Sequence, residues 1–241
     1  AHGGENVETA LRDSCNIFFY NCAKRLGITK MNEYASAFGL GQKTGVEIAE
    51  SAGTLAGPEE REAAGGVWQS GDTIQAGIGQ SDNLFTPLQL SNYCATVANG
   101  GTRYQLHLVQ SLIDNSSGTV TETQPKIEES LDLHKSTLTA VKSGMRLVAT
   151  QGAPSLIFNQ LRTEVAAKTG TSQVFVNGVK KNNGFLITFA PYDNPEISVA
   201  SVVELAGSGT STAEITSSII KYWYQNNTDE KTNQKTGALL N

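Results

Sequence analysis

Apolar residues recur every three or four positions near the start of the chain and every second position in its last third, and this change of period divides the sequence. Val7, Leu11, Cys15, Phe18 and Cys22 form one helical face running to about residue 26, with Asn6 placed to cap it and Gly27 to close it. Ser14-Cys15-Asn16 puts two polar side chains inside that run. Its plainest reading is a junction between two helices, with Ser14 capping the second. Met31 to Phe38 predicts a further short helix, ended by Gly39-Leu40-Gly41. Residues 51 to 72 are polar and rich in Gly and Ala, as in a long surface loop. Thr86-Pro87 opens a helix that runs to Ala98 and stops at Asn99-Gly100-Gly101. Between residues 104 and 133 a weak alternation flanks the turn residues Asp114 to Gly118, as in two short strands of an edge excursion. Leu138, Val141, Met145 and Val148 return to helical spacing.

The period-two stretch begins at Ala166-Ala167-Lys168-Thr169-Gly170-Thr171-Ser172-Gln173-Val174-Phe175-Val176 and turns at Asn177-Gly178. Asn183 to Pro191 and Ile197 to Val203 read as two more strands. Three consecutive strands with short connections predict an antiparallel meander. Thr212 to Trp223 closes it as an amphipathic helix with Ile215, Ile219 and Trp223 on one face, and residues 226–241 read as a polar, disordered tail. If residues 168–172 are extended, Thr169 and Thr171 share one face, and Lys168 shares the other with Gly170. Two hydroxyls, free strand N–H groups and a nearby ammonium suit an anionic group. Gly170 would let another element approach the lysine's face. Lys235-Thr236-Gly237 repeats the tripeptide with no strand pattern around it and reads as a decoy.

Composition narrows this little. At 241 residues, 39% hydrophobic and 17% charged, the chain can bury a core of one large or two small domains, and its net charge of −5 argues against nucleic acid as a partner. Cys15, Cys22 and Cys94 show no CxxC pair and no zinc-like spacing, so they read as small buried apolar residues. Lys43 and Thr44 lie in a Gly-rich loop without Walker spacing. No apolar run of about 18 residues is present, and nothing reads as a signal peptide. The abrupt start at Ala1-His2-Gly3-Gly4 suggests that upstream sequence has been cut away. The predicted architecture is α+β: an antiparallel sheet covered by helices, with a helical subdomain. Residues 1–225 would form one partial domain, mainly helical over 1–101, with sheet and flanking helices over 102–225.

Taken in order, Ser14-Cys15-Asn16, Ile78-Gly79-Gln80 with Thr86-Pro87-Leu88-Gln89-Leu90, and Lys168-Thr169-Gly170-Thr171 resemble the penicillin-binding proteins. The best match is their class B transpeptidase domain, which shares its fold with the serine β-lactamases. Ala98-Asn99-Gly100-Gly101, Gly144-Met145 and Gly184-Phe185 leading to Phe189-Ala190-Pro191 agree, so the resemblance covers about residues 2–225. The family pattern is Ser-x-x-Lys, Ser-x-Asn and Lys-Thr/Ser-Gly in that order. Thirteen residues precede Ser14 and none is Ser or Lys, so the resemblance implies an N-terminally truncated domain lacking its nucleophile. Ser218-Ile219-Ile220-Lys221 matches Ser-x-x-Lys on the wrong side of Lys168 and reads as a solvent-side pair.

The resemblance implies roles. Ser14 relays a proton towards the leaving amine, and Asn16 orients the substrate carbonyl. Lys168 polarises Ser14 and attracts the substrate carboxylate. Thr169 and Thr171 bind that carboxylate, with Gly170 between them, and the Thr171 N–H is an oxyanion donor. It implies a peptidoglycan D,D-transpeptidase that cross-links stem peptides and is acylated by β-lactams. No cofactor or metal is implied. The parent would work with a glycan polymerase, be anchored by an N-terminal membrane helix absent here, and face the outside of the cell. This chain alone would be inactive, with an exposed apolar groove where missing helices pack. The alternatives are a penicillin-sensing or catalytically silent binding module of the same fold, and a serine β-lactamase, which would need a deacylating residue that nothing here marks.

Overall fold

The computed structural model describes the backbone of residues 2–237 and side chains through Asn227. The chain divides into two compact units, one of Ala1–Glu5 and Ser14–Ala140, the other of Asn6–Asp13 and Val141–Asn241.

The second unit begins with α1 (Val7–Arg12), capped as predicted: Asn6 Oδ1 accepts from the Thr9 N–H at 2.9 Å, and the Thr9 hydroxyl returns the favour to the Asn6 N–H. In the first unit, α2 (Asn16–Ala37) starts after three residues that follow the end of α1. Ser14 does not cap it. The cap position is held by Cys15, with no side-chain cap bond, because Ser14 sits in the left-handed region at φ +50. Gly27, at φ +74, breaks the helical path as expected and leaves a kink inside α2.

The loop expected over 51–72 instead holds α3 (Pro58–Ala63) and the start of α4 (Ser70–Ala76). Pro58 occupies the first turn of α3 with Glu59 and Glu60, and Gln69 and Asp72 form a capping box on α4. Neither helix buries a residue, so neither leaves an apolar period in the sequence. α5 (Pro87–Ala98) starts at the predicted Thr86 cap. Gln89, 1% exposed, donates its amide N–H groups to Gln42 O at 2.6 Å and Ala52 O at 2.7 Å, tying two loops to the helix start. Two small antiparallel pairs complete the unit: β1 (Thr102–Tyr104) with β4 (Ile127–Ser130), and β2 (Ser111–Ile113) with β3 (Val120–Glu122) around the Asp114 turn.

In the second unit α6 (Lys135–Gln151, from Val141 on) and α7 (Ser155–Phe158) precede a three-stranded antiparallel sheet, ordered β5 (Ala166–Val176), β6 (Val179–Ala190), β7 (Ile197–Val203). Asn177 (φ +52) and Gly178 (φ +75) make the tight turn that their identities predict. A 3-10 turn, Gly209–Thr212, leads into α8 (Ala213–Gly237). The core gathers Val148, Ala149, Phe158, Val165, Ala167, Leu186, Ala190, Val199, Ala213 and Ile220.

α8 buries a different face from the one its largest residues mark. Ala213, Thr216 and Ile220 are fully buried, while Ile215 and Ile219 are 50% and 43% exposed. Thr216 is accommodated because its hydroxyl shares a 2.7 Å hydrogen bond with Ser201 and donates to Thr212 O. Helical backbone also continues past 225, where no Pro or Gly interrupts the sequence before Gly237, and Asn226 and Asn227 bond back to Tyr222 O and Trp223 O. The side chains of 228–237, including Lys235 and Thr236, and all of 238–241 lie outside the described residues.

Candidate active site

Lys168, Thr169, Gly170 and Thr171 sit together on β5, in the second unit. The β5–β6 register is unbroken from Ala166 opposite Phe189 to Val176 opposite Val179, so side-chain directions alternate without a bulge. Thr169 stands opposite Leu186 and Thr171 opposite Gly184, on one face; Lys168 stands opposite Ile187 and Gly170 opposite Phe185, on the other. Burial falls along the strand, from Ala166 and Ala167 fully inside, through half-buried Lys168 to Gly170, to exposed Thr171.

Burial pushes the Lys168 ammonium down to about 8, far below an ordinary lysine. Its Nζ donates to Thr169 O at 2.9 Å. An amine in that range can carry charge to hold an anion, yet exchange its proton near neutral pH.

The close approach expected at the Gly170 face occurs on the threonine side instead. A Cβ at Gly184 would lie 2.9 Å from the Ser208 carbonyl carbon, and one at Gly209 would lie 2.5 Å from Gly170 O and 2.8 Å from Gly170 N. A Cβ at Gly170 would meet only Phe185, at 3.3 Å. The 3-10 turn therefore backs the strand through Gly184 and Gly209, and both glycines were missed as site-forming residues. Gly184 was marked in the sequence by the Asn183-Gly184 strand start and the Gly184-Phe185 pair, whereas nothing read from the sequence pointed to Gly209.

Ser14 and Asn16 belong to the first unit. Both are exposed and flank buried Cys15 at the start of α2, so the turn holds two polar groups outward around one inward sulfur. Ile78-Gly79-Gln80 follows α4, where Gly79 takes φ +77 and Gln80 O accepts from Asn83 Nδ2 at 3.2 Å. Asn83 Oδ1 in turn accepts the Ala56 N–H at 2.9 Å. This segment braces the first unit. A phosphate reading of the Lys43-Thr44 loop fails physically: the Thr44 N–H, its hydroxyl and the Gly45 N–H all donate to the Glu50 carboxylate at 2.8–2.9 Å. Burial works against that charge, but these bonds outweigh it and hold Glu50 below its ordinary value.

Among the described residues one group could hold a metal, and cysteine spacing alone concealed it. His2, Glu5 and Cys15 each place a ligand atom within 4.8 Å of the others. His2 Nδ1 lies 3.9 Å from Glu5 Oε1; Glu5 Oε2 is buried with no hydrogen-bond partner, and Cys15 is buried beside them. Nitrogen, oxygen and sulfur donors together suit Zn²⁺. Ser218 and Lys221 are exposed on α8, with the Ser218 hydroxyl donating to Glu214 O at 2.9 Å. Among the described residues no helix is long and apolar enough to cross a membrane.

Residues 1–221 match the family model of the penicillin-binding protein transpeptidase domain. The chain is 32% identical over 248 residues to the peptidoglycan D,D-transpeptidase MrdA of Escherichia coli K12, covering 95% of this chain and 39% of that protein. Among solved structures it is similar to Helicobacter pylori PBP2 in its complex with MreC (25% identity, TM-score 0.79, 93% of this chain, 41% of that one). It is also similar to Pseudomonas aeruginosa PBP2 in complex with WCK 5153 (28% identity, TM-score 0.77, 90% of this chain, 48% of that one). The chain thus spans about two fifths of the length of the transpeptidase MrdA that it matches, and with its mixed helical and antiparallel-sheet fold it belongs to the penicillin-binding protein transpeptidase family.

Proposed function

We propose that this chain is part of a peptidoglycan D,D-transpeptidase that works through a serine acyl-enzyme, the serine being supplied by protein outside the present sequence. The serine Oγ attacks the carbonyl carbon of the penultimate D-alanine, the peptide C–N bond breaks, and terminal D-alanine leaves as the amine after taking up a proton. An amine of a second stem then attacks the ester and releases the serine. Ser14 relays the proton to the leaving amine, Asn16 orients the carbonyl, and Lys168 with Thr169 and Thr171 holds the terminal carboxylate. The Thr171 N–H is one oxyanion donor, worth about 3 kcal/mol in the transition state. Gly170, between the two threonines in sequence, keeps the lysine face of the strand clear.

The observation that carries this reading is the environment of Lys168, a half-buried amine pushed down to about 8 on the strand that bears both threonines. MrdA is named a peptidoglycan D,D-transpeptidase, and one similar structure is described as a peptidoglycan synthase complex that coordinates polymerization and crosslinking. A glycan polymerase is accordingly the partner of the parent protein, which is membrane-anchored and extracytoplasmic. The test is labelling with a fluorescent penicillin. The full-length parent takes up one covalent label on a serine upstream of Ala1, whereas this chain alone takes up none. Reversible occupancy of the parent without an adduct would replace the enzyme by a sensor; an adduct on Ser14 or Ser218 would overturn the roles.

A further inference from the structure

The carboxylate-binding strand does not stop at the proposed acyl site. β5 and β6 keep their register for five more pairs beyond Thr171 and Gly184. Their sheet loses its third strand on the way: β7 ends its pairing at Gly184 opposite Val203, and Asn182 O accepts one further bond from the Gly207 N–H. Outward of Asn182, residues Gln173–Val176 and Val179–Lys181 form a bare two-stranded ribbon, about 13 Å long at 3.3 Å per residue. A ribbon of this kind is marginal in water by itself. It nonetheless exposes Phe175 (74%), Val179 and Val176.

The ribbon's chemistry is as uneven as its packing. From Val165 to Tyr192 the chain has three lysines (168, 180 and 181) and no Asp or Glu, within a protein of net charge −5. Lys180 and Lys181 are exposed and make no ion pair among the described residues. Strand alternation puts Gln173 and Phe175 on the face of Thr169 and Thr171, and their partners Asn182 and Lys180 point the same way. One face of the hairpin therefore runs from two carboxylate-binding hydroxyls through two amides to an aromatic ring beside a cation.

We infer that this outer ribbon is a subsite for the glycan-linked, anionic end of the donor stem peptide, bound as the stem extends from its terminal carboxylate along β5. The inference rests on the proposed function and adds a place for the rest of the substrate. β5 is an edge strand, so an extended peptide can pair with it. With its carboxylate at Thr169 and Thr171, the peptide cannot run back along β5, because Ala166 and Ala167 are fully buried. It runs outward instead. At about 3.4 Å per residue, four residues reach Phe175, so the sugar-linked end of a pentapeptide arrives at the tip. Phe175 offers a flat apolar surface to a pyranose ring. Lys180, opposite it, and Lys181, on the other face of the same tip, draw the carboxylates of an acidic peptidoglycan strand.

The test compares a long substrate with a short one on the full-length parent protein. Phe175→Ala and the double variant Lys180→Glu/Lys181→Glu are assayed for cross-linking of uncross-linked glycan bearing pentapeptide stems. They are also assayed for acylation by benzylpenicillin, which carries the carboxylate but no stem or sugar. Thermal unfolding of each variant checks that the ribbon change is local. The expected result is a fall of about tenfold in cross-linking for the charge reversal and about fivefold for Phe175→Ala, with penicillin acylation changed less than twofold. Cross-linking by the parent should also weaken with added salt, and the charge-reversed variant should show a flatter dependence. Unchanged cross-linking with normal acylation overturns the subsite and leaves the proposed function standing. An equal fall in both assays overturns it in favour of a role in holding β5. Binding to anionic lipid vesicles that the charge reversal abolishes, with cross-linking intact, overturns it in favour of a membrane contact. A parent that penicillin fails to acylate removes the proposed function and the subsite together.

Discussion

Strand β5 and the junction between α1 and α2 carry the two sets of residues assigned to one reaction, and they hold them by opposite means. On β5 an unbroken ladder fixes the direction of Lys168, Thr169 and Thr171, and the 3-10 turn at Gly209 packs against the strand on its threonine side. At the junction no ladder exists. Ser14 is held at φ +50 and Cys15 begins a helix without a side-chain cap, so position is kept by a strained turn around a buried sulfur. Regular structure makes the first set cheap to hold and easy to read. The second set is costly to hold, and only its chemistry announces it.

The largest effect expected from this contrast is on chemistry. Lys168→Met in the full-length parent should slow penicillin acylation by about a thousandfold, because it removes the ammonium assigned both to polarise the Ser14 proton relay and to hold the carboxylate. Stability should move the other way. The folded-state value of Lys168, about 8, lies below its ordinary 10.5, so its charged form is disfavoured by folding. Below pH 8 the lysine is charged in both states and the full penalty applies; the penalty fades as pH rises from 8 to 10.5. The stability advantage of Lys168→Met over the native chain, read by denaturant unfolding, should therefore shrink across that window. An advantage flat from pH 7 to 10.5 would mean that burial does not depress this amine.

Next in size is the backing of β5. Gly209→Ala forces a methyl group against the Gly170 backbone and should cost about 3 kcal/mol in thermal unfolding, whereas Gly170→Ala, which meets only Phe185, should cost about 1 kcal/mol. Reversal of that order would show that the strand is held from its lysine face after all. At the junction the matching series is Ser14→Gly and Ser14→Val. A left-handed residue tolerates glycine and resists a β-branched side chain, so the valine variant should be less stable than the glycine variant by about 2 kcal/mol. Zinc offers a second handle on the same turn. If His2, Glu5 and Cys15 take up Zn²⁺, the melting temperature should rise with added metal, by an increment worth about 2.7 kcal/mol at a hundredfold excess over the dissociation constant. Chelation or Cys15→Ala should remove that increment.

The same contrast explains what the sequence disclosed. The meander was legible because Asn177-Gly178 can make few other turns and because alternation survives partial burial. The α5 start was legible because Thr86, Pro87 and Gln89 are local signals for a local structure. α3 and α4 were not, since short helices with no fully buried residue have no apolar stripe to display. The α8 face was misjudged because its packing uses Ala213 and Thr216, small and polar residues whose burial depends on partners distant in sequence, such as Ser201. The pairing of β1 with β4 and the meeting of Cys15 with His2 and Glu5 are likewise non-local, and spacing rules do not reach them. Strand alternation singled out Lys168, Thr169, Gly170 and Thr171 as one group, whereas Ser14 and Asn16 were assigned through motif order alone.

The smallest expected effect guards the whole assignment. Ser218 and Lys221 reproduce Ser-x-x-Lys in a helix, three residues apart and both facing solvent. A nucleophile needs its base within hydrogen-bond reach and donors aimed at the oxyanion. The Ser218 hydroxyl spends its proton on Glu214 O one turn back, the ordinary habit of a serine on an exposed helix. Ser218→Ala and Lys221→Ala should each leave penicillin acylation of the parent within about twofold of the native rate, against the thousandfold loss at Lys168. A loss at Ser218 as large as that at Lys168 would move the nucleophile into α8 and undo the comparison from which these predictions start.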